Sequence, residues 1–250
     1  MREARPIYIL IVVALLCLTL IVCTSIYARS LVRVKSKDEL IHVDGSARKP
    51  IRSDFIIWNG SLSQSAATIA GAYAPLEASV TKVKDYLIAK GVPASEITPN
   101  AVSEVPIYEQ VKNLRTGQYT ATDHIIGYTL SQTIGVKSRS VDLVDGLSRQ
   151  STELISQGIS FKSDTPLYIY TKLSELKVSM QAEASKNARD RAEQIAASSG
   201  CRLGEVRAAK MFVPQITPLY STEQSDGGNE DTSSLDKNIT AVVSVDYSIR

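Results

Sequence analysis

The longest uninterrupted pattern in the chain is apolar: from Ile7 to Ile26 no charge, Gly or Pro breaks the run. As a helix rising about 1.5 Å per residue, such a run covers about 30 Å, the thickness of a bilayer's hydrocarbon core. Ile7, Leu10, Val13, Leu16, Leu20 and Ile26 are its membrane-anchor positions. The pattern divides the chain into a basic N-terminal tail at residues 1–6, a signal-anchor transmembrane helix at 7–27, a basic juxtamembrane linker at 28–37 and a body at 38–250. The apolar part exceeds the ~7–15 residues usual in a cleaved secretory signal, which favours retention. Cleavage after Ser25 or Ala28, releasing the body, is the alternative. Val22 precedes Cys23 and Leu16 precedes Cys17, so neither cysteine has the small neighbour that lipoprotein processing requires.

Three stretches of the body repeat apolar residues at helical spacing. Ile69, Tyr73, Leu76, Val80, Val83 and Leu87 fall on one face, with Pro75 predicting either a kink or a start at that point. A second helix over 140–157 uses Val141, Val144, Leu147, Leu154 and Ile155. The third, over 174–199, aligns Leu176, Met180, Ala184, Ala188, Ala192 and Ile195, and its alanines permit close approach to whatever it covers. Gly91, Gly158 and Gly200 each follow a helix and precede an apolar contact, the pattern of a left-handed C′ residue.

Between the helices the period falls to two. Ile239, Ala241, Val243, Val245, Tyr247 and Ile249 alternate with polar residues, which predicts a half-buried strand. Strands are also predicted over 40–47, 54–63, 101–108, 124–136, 167–171 and 206–213. The order is ββα, ββα, βα, ββ after the transmembrane helix, an α+β arrangement of antiparallel strand pairs with three helices rather than a doubly wound fold. Residues 109–123 read as a long hairpin tip. Residues 214–238 form a long polar loop, either a solvated tip or a partner contact.

A net charge of +2 with interspersed signs implies no nucleic-acid partner. Arg29, Arg33, Lys35 and Lys37 outnumber Arg2 and Arg5 and favour a cytoplasmic body, whereas a short basic tail before an apolar run is the usual export device. Charge alone therefore leaves orientation open. Of three cysteines, only Cys201 lies in the body, so no internal disulfide forms there.

Candidate chemistry is sparse. A Ser-His or Cys-His mechanism must use His42 or His124. His42 and Asp44 lie two apart and share a strand face, which makes them a candidate base and orienter, although a solvated polar face is the commoner reading. Nucleophile-elbow, P-loop and dinucleotide motifs are absent. Two His and one body Cys cannot build a structural zinc site. Calcium is conceivable through Asp226, Glu230, Asp231 and Asp236, without an EF-hand pattern. No cofactor is expected. Asn59 and Asn238 stand in glycosylation-type triplets. Phe55 and Trp58, in an apolar run that departs from alternation, are buried on both faces or form a candidate subunit interface.

The body resembles the SIMPL-domain family of bacterial envelope proteins. The carriers are IHVDGSARKPIRSD with its Gly45 and Ala47 step, YLIAKGVPASEITPN, HIIGYTLSQTIGVKS and QAEASKNARDRAEQIAASSGCRLGEV, in that order. The resemblance implies an exported or anchored periplasmic body, homo-oligomers in some members, links to envelope integrity and stress, and no established enzymatic activity. The expectation is a non-enzymatic inner-membrane protein whose partners are lipid and further copies of itself. A periplasmic small-molecule-binding module is the alternative, with its ligand unknown, and a hydrolase using His42 or His124 is a lesser one.

Overall fold

The computed structural model of the chain describes residues 5–35, 40–112, 117–221 and 227–250. In order come α1 (Arg5–Lys35), β1 (Leu40–Arg52), β2 (Phe55–Ala66), α2 (Ile69–Ala89), a 3-10 turn (Ala94–Glu96), β3 (Ile97–Pro99), β4 (Ser103–Lys112) and β5 (Tyr119–Ser138). Then follow α3 (Val141–Gln150), α4 (Glu153–Ser156), β6 (Phe161–Ser163), β7 (Leu167–Ile169), α5 (Leu173–Ser198), β8 (Leu203–Met211), β9 (Gln215–Pro218) and β10 (Asp236–Ile249). The chain is mixed α and β with antiparallel sheets, and five α-helices occur among the described residues. The sequence pattern expected an anchor and three helices, and it missed the short strands β3, β6 and β9. Two of these are three residues long and β9 is four, too short for a period of two to register.

Helix α1 runs through the apolar stretch and on to Lys35, so most of the expected linker is helical. Its window Val13–Ser30 has a mean hydropathy of 1.8 and none of it is buried within the chain. The side chains of Ile7 and Leu10 lie outside the described part, whereas Val13, Leu16, Leu20 and Ile26 are all exposed. The hydroxyls of Thr19, Thr24 and Ser25 donate to carbonyls three or four residues back, which satisfies them without water.

The chain divides into two compact units. The first comprises Met1–Ala47, Ser179–Val213 and Ala241–Arg250, and the second Arg48–Val178 and Pro214–Thr240. In the second unit β5 lies between β3 and β2, with β6 and β7 pairing to β2 and β4 to β5. Helices α2 and α3 pack on β2 and β5 and enclose Ile56, Trp58, Leu62, Leu76, Val83, Leu87, Leu130, Ile134 and Leu154. Thr68 caps α2, its hydroxyl accepting from Gly71 N at 3.1 Å, and the helix continues through Pro75 rather than starting there. Ile69 and Tyr73, expected on the buried face, are exposed, and Ala72 takes the inward position four residues before Leu76.

The expected helix over 140–157 is broken after Gln150. Ser148 O accepts the hydroxyls of Ser151 at 2.8 Å and Ser163 at 2.9 Å, so side chains occupy a carbonyl that a continuing helix would use. Leu154 faces the core while Ile155 is exposed. The three glycines do adopt positive φ, at 101°, 79° and 73° for Gly91, Gly158 and Gly200, and Val92 N, Ile159 N and Cys201 N close back five residues onto their helices.

Strands β4 and β5 extend farther than expected and shorten the tip between them. Pairing of β5 with β2 stops at Tyr128, while pairing with β4 continues to Lys112 opposite Tyr119. The outer part is therefore a two-stranded ribbon, and Tyr108, Val111, Tyr119, Ile125 and Ile126 are exposed along it.

Candidate functional site

In the first unit β10 lies between β1 and β8. Alternation turns Val43 on β1 and Val243, Val245 and Tyr247 on β10 inward, and leaves His42, Asp44, Ser244 and Asp246 on the other face. Helix α5 covers the inner face with Met180, Ala184, Ala188, Ala192 and Ala196, all essentially buried. Ile195, expected on this stripe, is exposed, because the four-residue step continues to Ala196 instead. At the closest point a Cβ on Gly45 would lie 2.2 Å from Ala184 O and 2.4 Å from Ala188 N, so only glycine fits beneath the helix. Helix α5 also protects the open edge of β1: Asn187 Oδ1 accepts from Ser46 N at 3.2 Å, and Arg191 Nη1 donates to Asp44 O at 3.0 Å.

On the outer face four side chains from the first and last strands meet. His42 Nδ1 is 2.6 Å from Asp246 Oδ1, and His42 Nε2 is 3.1 Å from Ser244 Oγ. Ser244 Oγ donates to Asp44 Oδ1 at 2.7 Å. Sequence reasoning paired His42 with Asp44 but missed Ser244 and Asp246. They lie some 200 positions away on a strand that reads as ordinary alternation, and only the pairing of β1 with β10 unites them. Beside the cluster an open groove of about 600 Å³ is lined by His42, Asp44, Arg191, Gln194, Ile195 and Ser198 among others.

The atom order Ser, His, Asp matches that of a serine triad, but the proton order does not. A nucleophilic serine must give its proton to the imidazole, whereas the Ser244 hydroxyl is directed at Asp44. The Asp246 hydrogen bond raises the His42 pKa above its usual 6.5 against the opposing effect of desolvation, with the Asp246 and Asp44 charges adding to the rise. With the Ser244 hydroxyl donating to Asp44, its oxygen is left to accept from Nε2, and a ring that donates there has no lone pair to take the serine proton. His42 is also 66 % exposed, so water is not excluded, and the N–H groups of central strand β10 are drawn into its ladders instead of forming an oxyanion site. The geometry suits a charge-paired hydrogen-bond network better than acyl transfer.

The other expected residues stand apart. His124, on the ribbon, has Nδ1 3.4 Å from Glu109 Oε2, both well exposed. Trp58 is 1 % exposed, packs edge-on to Phe161 at 6.0 Å and donates to Ser163 Oγ at 3.0 Å. As an interface candidate it is corrected: its surface is consumed inside its own unit, and only the half-buried Phe55 keeps part of its face outside. Cys201 is half-buried with Sγ 3.7 Å from Ser199 O. Of the calcium candidates, Asp226 lies outside the described residues, Asp236 pairs with Arg52, and Asp231 Oδ1 accepts from Ser233 and Ser234. Among the described residues no group of three His, Cys, Asp or Glu side chains is arranged to hold a metal ion. Asn238 is buried and donates to Leu219 O.

Two polar groups in the second unit escaped sequence reasoning. Lys237, 2 % exposed, donates from Nζ to Tyr168 O at 2.7 Å and to Asp231 O, which fastens part of the expected polar loop to β7. Burial lowers its pKa, with Asp231 and Glu230 opposing the shift. Tyr168 Oη donates to Asp145 Oδ1 at 2.6 Å, and burial, then the Asp145 bond, push its pKa up to about 12. Both line a small, largely enclosed cavity of about 20 Å³ and act as interior ties.

An N-terminal apolar helix followed by antiparallel sheets and an alanine-faced helix defines the class to which this chain belongs. Its family model then identifies it: the match covers residues 41–247, and the chain belongs to the SIMPL family, described as protein of unknown function (DUF541). No curated protein matches the chain significantly.

Proposed function

We propose that the chain is a non-enzymatic inner-membrane protein, anchored by α1, that holds a self-associating SIMPL body in the periplasm and supports envelope integrity or stress tolerance. The observation that carries this reading is the state of α1: its window Val13–Ser30 is apolar and entirely uncovered by the rest of the chain. An uncovered surface of that size favours lipid over water by about 25 cal/mol per Å², and the internally bonded hydroxyls of Thr19, Thr24 and Ser25 suit a medium without water. The ribbon of β4 and β5 supports self-association, since a lone two-stranded ribbon with five exposed large apolar side chains gains by being covered.

The test is fractionation of the intact protein carrying a C-terminal tag. The expected outcome is retention in the inner-membrane fraction after alkaline carbonate washing, with the tag digested by protease only once the outer membrane is opened. Recovery in the soluble fraction would replace the anchor by a cleaved signal, and protection of the tag in spheroplasts would place the body in the cytoplasm.

The groove beside His42 favours a second reading, a periplasmic small-molecule-binding module. Within the hydrolase alternative, His42 with Ser244 and Asp246 outranks His124, whose neighbourhood contains only Glu109 as an ionic partner among the described residues.

A further inference from the structure

The cluster on the outer face of the first unit has a property that an ordinary polar strand face lacks: its hydrogen bonds can all be made only in one protonation state. With His42 protonated, Nδ1–H donates to Asp246, Nε2–H donates to Ser244 Oγ, and the Ser244 hydroxyl donates to Asp44. Each donor meets a separate acceptor, and one positive charge lies between two carboxylates. Once the ring is neutral, the short contact to Asp246 keeps the proton on Nδ1 and turns Nε2 into an acceptor. Ser244 then has one proton and two claimants, Nε2 and Asp44, so one cross-strand bond is lost together with the charge pairing.

We infer that His42 is a proton-operated clasp between the first and last strands of this unit, holding β1 against β10 when protonated and loosening it when neutral. Strand β1 is where such a clasp has leverage, since among the described residues it is an edge strand with β10 as its sheet partner. The groups facing the ring from each packed element settle the sign. Asp44 on β1 and Asp246 on β10 favour the proton. Arg191 on α5, which lines the same groove and is bonded to Asp44 O, and Lys210 on β8, paired opposite Ser244, carry charge of the opposing sign. The two carboxylates are hydrogen-bonded into the network, while Arg191 spends its bond on a backbone carbonyl, so the proton is favoured. Exposure of the ring allows it to equilibrate freely with the surrounding medium.

The sign follows from linkage: a folded-state pKa raised above 6.5 contributes stability that is complete below 6.5 and disappears as pH rises through the folded value. Hydrogen exchange on the full-length protein in detergent tests this. After correction for intrinsic exchange, protection of residues 40–47 should fall by up to about fivefold between about pH 5 and about pH 8.5, while β2 stays unchanged. His42→Gln and Asp246→Asn should each flatten the profile. Protection of β1 that does not vary with pH, or that varies equally in His42→Gln, overturns the clasp. Should both variants misfold, the His42 ring is titrated by NMR in the wild type, where a midpoint at or below 6.5 overturns it as well.

Discussion

Gly45 shows how one residue type can be fixed by a neighbour far along the chain. Its φ is not in the left-handed region, so any residue could adopt the backbone, and the restriction is purely one of space. Replacing it by Ala places a methyl group within the van der Waals shell of Ala184 and Ala188 backbone atoms, which a helix cannot yield without shifting as a body. Gly45→Ala is expected to destabilise the protein by about 3 kcal/mol, at the upper end of overpacking costs, as read from urea midpoints by circular dichroism. Gly146, inside α3 with nothing within 4 Å of the methyl group an alanine would add, is the contrast. There Ala should stabilise by up to about 1 kcal/mol through helix propensity. The sequence pattern named Gly45 as part of a family resemblance, but the reason for a glycine lies in α5, which no local pattern around residue 45 contains.

Among elements, legibility followed length and regularity. The glycine-terminated ends of α2, α4 and α5 were readable because a left-handed residue followed by an apolar one is a local signal. The break between α3 and α4 was not, because the hydroxyl that competes for Ser148 O comes partly from Ser163 on a different element. The stretch around 230–237 misled for a related reason. Its acids and serines resemble a solvated tip, yet Lys237 turns inward to join that stretch, β7 and β10. Replacing Lys237 by Met leaves carbonyls of Tyr168 and Asp231 without their partner and should cost about 1–3 kcal/mol near neutral pH. The folded pKa of Lys237 is lowered, so between that value and 10.5 the unfolded chain binds a proton the folded chain does not, and its contribution rises with pH through that window. Chemical denaturation across that range should show the rise in wild type relative to Lys237→Met. A parallel pair of curves would refute the assignment.

For the molecule as a whole, the α+β class and antiparallel pairing were readable from periodicity alone, whereas the pairing of β1 with β10 that assembles the His42 cluster was not. Periodicity reports which face of a strand is buried and carries no information about which strand lies beside it. Self-association belongs to this scale too. Val111 and Ile126 are 53 % and 51 % exposed on the ribbon, so changing both to Glu should leave monomer stability within about 0.5 kcal/mol while abolishing the proposed cross-linked multimers of the full-length protein. Multimers that persist in this variant would move the contact off the ribbon.

The 31 residues of α1 give a rod of about 46 Å, some 16 Å longer than a hydrocarbon core needs. In the anchored arrangement proposed above, the surplus would act as a spacer of fixed length. Set upright in a bilayer, it would carry the chain past the acyl layer and through the zone of lipid headgroups before the first strand begins, so that β1 meets the ionic conditions of the aqueous phase and not those of the lipid surface.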